Sequence, residues 1–193
     1  MSSPVIGFAL CGSFCTFDQV FESLAQLTSI YTVIPIMSEN AAEIDSRFGS
    51  AAGFINKLEQ ICRRSVITTI SEAEPIGPKA LLDLLVIAPC TGNTLAKITN
   101  GITDTSVTMA YKAHLRNEKP VLIAISSNDA LGTNAPNIGT LLNRRNNFFV
   151  PFYQDDPIKK PASVIADFNM IPDAIKAALR KEQIQPILLC PPA

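Results

Sequence analysis

Apolar residues recur along this chain in two rhythms, and the way those rhythms alternate predicts the architecture. Val5 to Leu10 is an almost unbroken apolar run ending at Cys11-Gly12-Ser13, and an amphipathic stretch follows from Phe17 to Ile30. The run Tyr31 to Met37 ends at Ser38-Glu39-Asn40, after which a helical pattern extends to Arg64. Val66 to Ile70 reads as a further strand, and Pro75, Gly77 and Pro78 mark the loop behind it. Leu84 to Ala88 and Val121 to Ile125 are continuously apolar, as strands buried on both faces must be. Helix-compatible stretches lie between them, through Leu95 to Ile98 and from Ser106 to Arg116. A Gly/Asn/Pro loop spans Ser126 to Pro136, and a short helical pattern then reaches Arg145. Phe148 to Tyr153 reads as a last main strand whose Pro151 marks an edge or a bulge. Pro172 and Asp173 open a final helix to Gln183, with Pro in the first turn where its missing N–H costs nothing.

Short apolar strands separated by helices imply right-handed crossovers and a parallel sheet covered on both faces. The expected fold class is therefore a single-domain, doubly wound α/β protein. At 193 residues the chain has room for one such domain, spanning 1–193 with a short Pro-rich tail at 186–193.

Composition narrows the function by exclusion. Sixteen basic residues against 17 acidic ones leave a net charge of −1, without the concentrated positive face that nucleic acid requires. Arg63-Arg64, Arg144-Arg145 and Lys159-Lys160 read as solvated helix or loop ends. No segment reaches the roughly 20 apolar residues of a membrane span, and the start Met-Ser-Ser-Pro lacks the basic region of a secretory signal. Five irregularly spaced cysteines and one histidine give no zinc-ligand pattern. Free thiols in a reducing cytoplasm are expected.

In a doubly wound sheet, ligands bind beyond the carboxyl ends of the strands. Four post-strand loops carry small hydroxyl, amide and glycine residues: 11–13, 38–40, 89–94 and 126–129. Gly12-Ser13 before a helix offers open backbone N–H groups and a hydroxyl near a positive dipole end, the ingredients of an anion site. The same residues also serve simple turns and N-caps. The first loop is neither GxGxxG nor a Walker P-loop, which disfavours the common dinucleotide and nucleoside triphosphate sites.

Pro89-Cys90-Thr91-Gly92-Asn93-Thr94, trailed by Ala96-Lys97, Gly101-Ile102 and Asp104, is similar to the Pro-Ala-Ser-Ala-Asn-Thr motif of the homo-oligomeric flavin-containing cysteine decarboxylase family. The resemblance runs from Val5 to Gln183 and implies a Rossmann-like, flavoprotein-type fold that binds FMN in a homo-oligomer. It also implies a set of cofactor-binding residues. Thr91 takes the phosphate-contacting Ser position, and Asn93 and Thr94 take the Asn-Thr positions at the flavin edge. Gly92 lies between them, and Gly12, Ser13 and Ser38 match the other FMN loops. Three stretches, Leu10–Ser13, Ala88–Thr94 and Asn134–Gly139, resemble a branch found in sporulating bacteria. Its members act with a second, NAD(P)-binding subunit to oxidise a small dicarboxylate. That resemblance places the chain in the mother-cell cytoplasm, as an oxidoreductase subunit that works with its partner.

The departures from the family matter as much. The family's peptidyl-cysteine decarboxylases carry a catalytic histidine after the second strand, and residues 38–64 here contain none. Their Pro-x-Met-Asn clamp has no clean counterpart, since Ala135-Pro136-Asn137 lacks the Met. An FMN-dependent decarboxylase, a prenyltransferase-like relative and a non-catalytic subunit that stabilises its partner remain alternatives. No catalytic acid or base is assigned. Cys90 reads as a buried apolar thiol, His114 as a surface or capping histidine, and Asp104 as an N-cap. Lys112, Arg116, Arg144 and Arg145 are candidates for pairing with a dicarboxylate.

Overall fold

The computed structural model describes residues 3–190, so the first two residues and the last three of the tail lie outside the described residues. The order of elements is β1 (Val5–Leu10), α1 (Phe17–Leu27), β2 (Thr32–Met37), α2 (Glu39–Glu43), α3 (Ala51–Cys62), α4 (Ile70–Ala73), β3 (Leu84–Cys90), α5 (Gly92–Thr99), α6 (Ser106–Leu115), β4 (Val121–Ser127), α7 (Ala135–Leu142), β5 (Asn147–Phe149), β6 (Phe152–Asp156), β7 (Lys160–Ala166) and α8 (Ile171–Leu179). Strands β2, β1, β3, β4 and β5 pair in parallel. Every residue of β3 is buried, and so are the first six of β4, which explains their lack of polar alternation.

The strand order reverses at β1. The chain leaves β1 in one direction to form β2, then crosses back over β1 to form β3 and continues outward to β4. Right-handed crossovers therefore send α1 to one face and α5 and α6 to the other. On the first face α8 returns beside α1 against β3 and β4, and on the second α6 packs against β2 and β3. Loops following β1 and β3 diverge at this reversal and leave a crevice between them.

The sheet is mixed rather than purely parallel. β5 borders only the first half of β4, pairing Val121–Ile123 with Asn147–Phe149. Beyond that point β7 takes over antiparallel to Ser126 and Ser127, and β6 pairs antiparallel with β7. Pro151 cannot donate to a ladder, and it splits the expected strand Phe148–Tyr153 into β5 and β6. In the tail, Ile187 and Leu189 exchange backbone hydrogen bonds with Phe152.

Two further expectations are corrected. The helical pattern from Ser38 to Arg64 is broken into α2 and α3, because Ile44 is extended and Gly49 sits at φ +153°. Ser50 then starts α3 afresh, its hydroxyl accepting from the Gly53 N–H. Val66–Ile70 is not a strand: Ile67 alone bridges Ile36, and Thr69 and Glu72 form a reciprocal capping box that starts α4.

Candidate active site at the strand ends

A cleft of about 970 Å³ opens at the carboxyl ends of β1, β3 and β4. The β1 loop supplies Gly12, Ser13, Phe14, Cys15 and Thr16; the turn into α5 supplies Thr91, Gly92 and Asn93; the end of β4 and its loop supply Ser126 to Asp129. The β6–β7 hairpin closes one side with Asp155, Lys160, Ser163, Val164 and Ile165, and Phe48 borders another.

Three hydrogen-bonded groups fix this polar floor. Ser13 and Ser126 share a hydroxyl–hydroxyl bond of 2.7 Å, which ties the β1 loop to the end of β4. The Ser127 hydroxyl donates to Asp129, whose second oxygen accepts from the Asn134 amide at 2.8 Å. Asn137 donates to Asn134 at 2.9 Å, so the network is anchored in α7. The α5 turn forms the third group. Thr91 caps the helix, its hydroxyl accepting from the Thr94 N–H at 3.3 Å, and the Thr94 hydroxyl donates to the Cys11 thiol at 3.2 Å.

Gly92 is where the second and third of these groups meet. A Cβ at this position would lie 2.5 Å from the Asn134 amide nitrogen and 2.6 Å from both Asp129 Oδ1 and Ser127 Oγ. Only glycine lets the first turn of α5 approach the network this closely. The helix thus directs its free N–H groups and positive end into the cleft. Asn93 is exposed at the same turn, its amide without a hydrogen-bond partner among the described residues.

Of the residues expected to bind cofactor, Gly12, Ser13, Thr91, Gly92 and Asn93 line the cleft. Thr94 is buried behind them, where its hydroxyl meets Cys11 and Thr91. Ser38 is buried at the start of α2, outside the lining, and its N–H donates to the Leu10 carbonyl. The hairpin residues escape sequence reasoning. Lys160 is exposed, as a solvated end should be, and it also pairs with Asp155 at 2.8 Å beside the cleft. The readable signal was the Asp156-Pro157 turn between two short alternating segments.

Several single-residue expectations are settled by position. Cys90 is fully buried, and burial, with Cys11 as a neighbour, holds its thiol well above the ordinary range. Burial likewise raises the Cys11 thiol to about 11, so neither is a ready nucleophile. His114 is neither a surface nor a capping residue. It is fully buried, and its Nε2 meets the carbonyl of Pro120, just before β4 and so at the opposite end of the sheet from the cleft. Asp104 does not cap α6; Thr105 does, while Asp104 pairs with Lys97 at 2.9 Å. Arg145 pairs with Glu118, and Arg144 donates to the last carbonyls of α5. None of the four candidate cations lines the cleft. All five cysteines are free. Among the described residues no cluster of His, Cys, Asp or Glu could hold a metal, and no helix is long and apolar enough to cross a membrane.

A reversal-point cleft with a hydroxyl-rich floor and an open helix N-terminus defines the class, and the chain belongs to the Flavoprotein family, whose model matches residues 1–191. In sequence it is 44% identical over 185 residues to the B-type subunit of dipicolinate synthase from Bacillus subtilis (strain 168), covering 95% of this chain and 92% of that protein. The crystal structure of the corresponding dipicolinate synthase subunit from Bacillus halodurans C superposes with a TM-score of 0.90 at 42% identity, covering 98% and 97% of the two chains. The FMN-dependent cysteine decarboxylase SpaF shares the fold, with a TM-score of 0.63 at 22% identity over 92% of this chain and 96% of that one.

Proposed function

We propose that this chain is the flavin-site subunit of a dipicolinate synthase, forming dipicolinate from a dihydrodipicolinate-type intermediate in the cytoplasm of a sporulating mother cell. It would act as a homo-oligomer together with the A-type subunit of dipicolinate synthase, which would bring NAD(P). The observation that carries the reading is the 44% identity to the Bacillus subtilis B-type subunit, which spans nearly the whole of both chains. One unit, residues 1–193 with its short tail, would carry the entire site.

The donor set fits FMN. Gly12 presents open backbone, since a Cβ there would meet nothing closer than the Phe14 ring at 3.7 Å. Ser13, Thr91 and Ser126 add hydroxyls, and the start of α5 adds N–H groups and a positive end, which together suit a phosphate. Asn93 and Asn128 would meet the polar edges of a ring, with Phe14 and Phe48 as apolar walls. Bound FMN supplies a two-electron acceptor for the hydride equivalent lost when a dihydropyridine ring becomes aromatic. The chain's own work is to orient: the Ser127–Asp129–Asn134 network holds the α5 turn still, and the β6–β7 hairpin keeps water from one side of the cleft.

The test has two readings. FMN fluorescence should be quenched saturably by the purified chain, and dipicolinate formation should rise when the chain is added to the A-type partner. Quenching without any gain in product would leave a flavin protein that is not part of this enzyme. Equal product with and without the chain, and no quenching, would overturn both parts.

A further inference from the structure

Three of the cations absent from the cleft gather elsewhere. One face of α6 carries Thr108, Tyr111, Lys112 and Leu115, the i, i+3, i+4, i+7 spacing of a single helical stripe, and the C-cap Arg116 extends it. This stripe, the end of α5 and Arg144 enclose a hollow of about 400 Å³. Its floor is apolar: Ile98 is buried, Leu115 is half-buried, the Tyr111 ring is buried, and Ile102 at the rim is 46% exposed. Lys112 and Arg116 stand exposed at the rim, and among the described residues neither has a carboxylate within ion-pair distance. The hollow is lined by no Asp or Glu.

Helix C-termini repel anions, and α5 ends here, but Arg144 removes that objection. Its guanidinium donates to the carbonyls of Ile98 at 3.0 Å and Thr99 at 2.9 Å, and to the Tyr111 hydroxyl at 3.3 Å. The Tyr111 hydroxyl in turn donates a hydrogen bond to Asn147 Oδ1 at 2.9 Å. The negative end of α5 is covered by a fixed positive charge, while Lys112 and Arg116 lie at the end of α6, where they more than offset that helix's partial negative charge and have no carboxylate partner among the described residues.

We propose that this hollow is a second binding site, for a small aromatic carboxylate whose ring lies on Ile98, Tyr111 and Leu115 while its carboxylate bridges Lys112 and Arg116. The size suits a small molecule rather than a protein segment. The unanswered charge selects an anion over a neutral ring. The proposal is independent of the flavin reading, since no residue of the strand-end cleft takes part.

Benzoate and its neutral analogue benzyl alcohol are the probes, followed through the methyl NMR signals of the whole chain. Benzoate should shift Ile98, Ile102 and Leu115 saturably, and benzyl alcohol should bind about tenfold more weakly. The exposed pair Lys112→Gln with Arg116→Gln should weaken benzoate by a similar factor and leave benzyl alcohol unchanged. Shifts confined to Val164 and Ile165 of the cleft, or equal affinities for both probes in both proteins, would overturn the proposal. So would a face reserved for another protein chain: Ile102→Asp changing the mass measured by light scattering, with no benzoate response in the parent protein.

Discussion

Ser13 and Ser126 lie 113 residues apart in the chain, yet their hydroxyls are 2.7 Å from each other, joining the loop after β1 to the end of β4 across the crevice. One hydroxyl donates to the other, so the pair has one proton and several lone pairs left for a ligand. If the pair belongs to the phosphate site, Ser13→Ala and Ser126→Ala should each weaken FMN binding about tenfold. The double variant should fall short of the product of the two, since each single change already breaks the shared bond. Fluorescence titration of the three proteins measures this, and unchanged affinity in all three would remove the pair from the site.

Gly92→Ala should cost about 1–3 kcal/mol of stability, because the new methyl must displace Asn134, Asp129 or Ser127. The matched control is Gly139→Ala in α7, where a Cβ meets nothing within 4 Å and the helix gains propensity. Thermal melts should therefore move in opposite directions. If both variants melt alike, the close approach at Gly92 is not what holds the α5 turn.

The contrast between these glycines also marks the limit of what the sequence disclosed. The buried strands β3 and β4 were plain as continuous apolar runs, and the cleft followed from the loops after them. Fine breaks were hidden where two local signals competed. Val66–Ile70 has strand-like residues, but the Thr69–Glu72 capping box wins and begins α4. Residues 38–64 keep helical spacing through a segment where Gly49 and Ser50 end one turn and begin another. The β6–β7 hairpin is less legible still, because its pairing with Ser126 and Ser127 is a long-range contact that local periodicity does not encode. Lys160 is a surface charge as the sequence suggests, but its place beside the cleft depends on that pairing. The burial of His114 is hidden for a similar reason: its helix is mixed in polarity, and only packing places that position in the core.

Arg144 is one of four cations the sequence offers to a dicarboxylate, and the structure gives its guanidinium two carbonyls instead. Arg144→Met should destabilise the protein by about 1–3 kcal/mol, since the carbonyls of Ile98 and Thr99 lose their donors. Arg144→Lys should recover only part of that loss, because one ammonium group cannot reproduce the planar fork that spans both carbonyls and the Tyr111 hydroxyl. Urea denaturation of the three proteins decides the matter. Full recovery by lysine would mean that charge alone, not geometry, covers the end of α5.

His114 sets a pH limit on stability. The Pro120 carbonyl can only accept, so Nε2 carries the proton in the 2.8 Å bond, and Nδ1 is left bare, buried and without a partner among the described residues. Protonating Nδ1 would bury a charge. Burial accordingly lowers the pKa from 6.5 to about 4, with Lys119 pushing the same way and the Pro120 bond and Asp83 opposing. The unfolded chain then binds a proton that the folded one refuses. This contribution is complete above pH 6.5, declines as the pH falls towards 4, and totals on the order of 3 kcal/mol. His114→Gln keeps a donor for Pro120 but cannot titrate, so its stability should fall less steeply between pH 6.5 and 4 than that of the parent. Parallel slopes for the two proteins across that window, measured by denaturant melts, would show that carboxylates rather than His114 govern the acid limb.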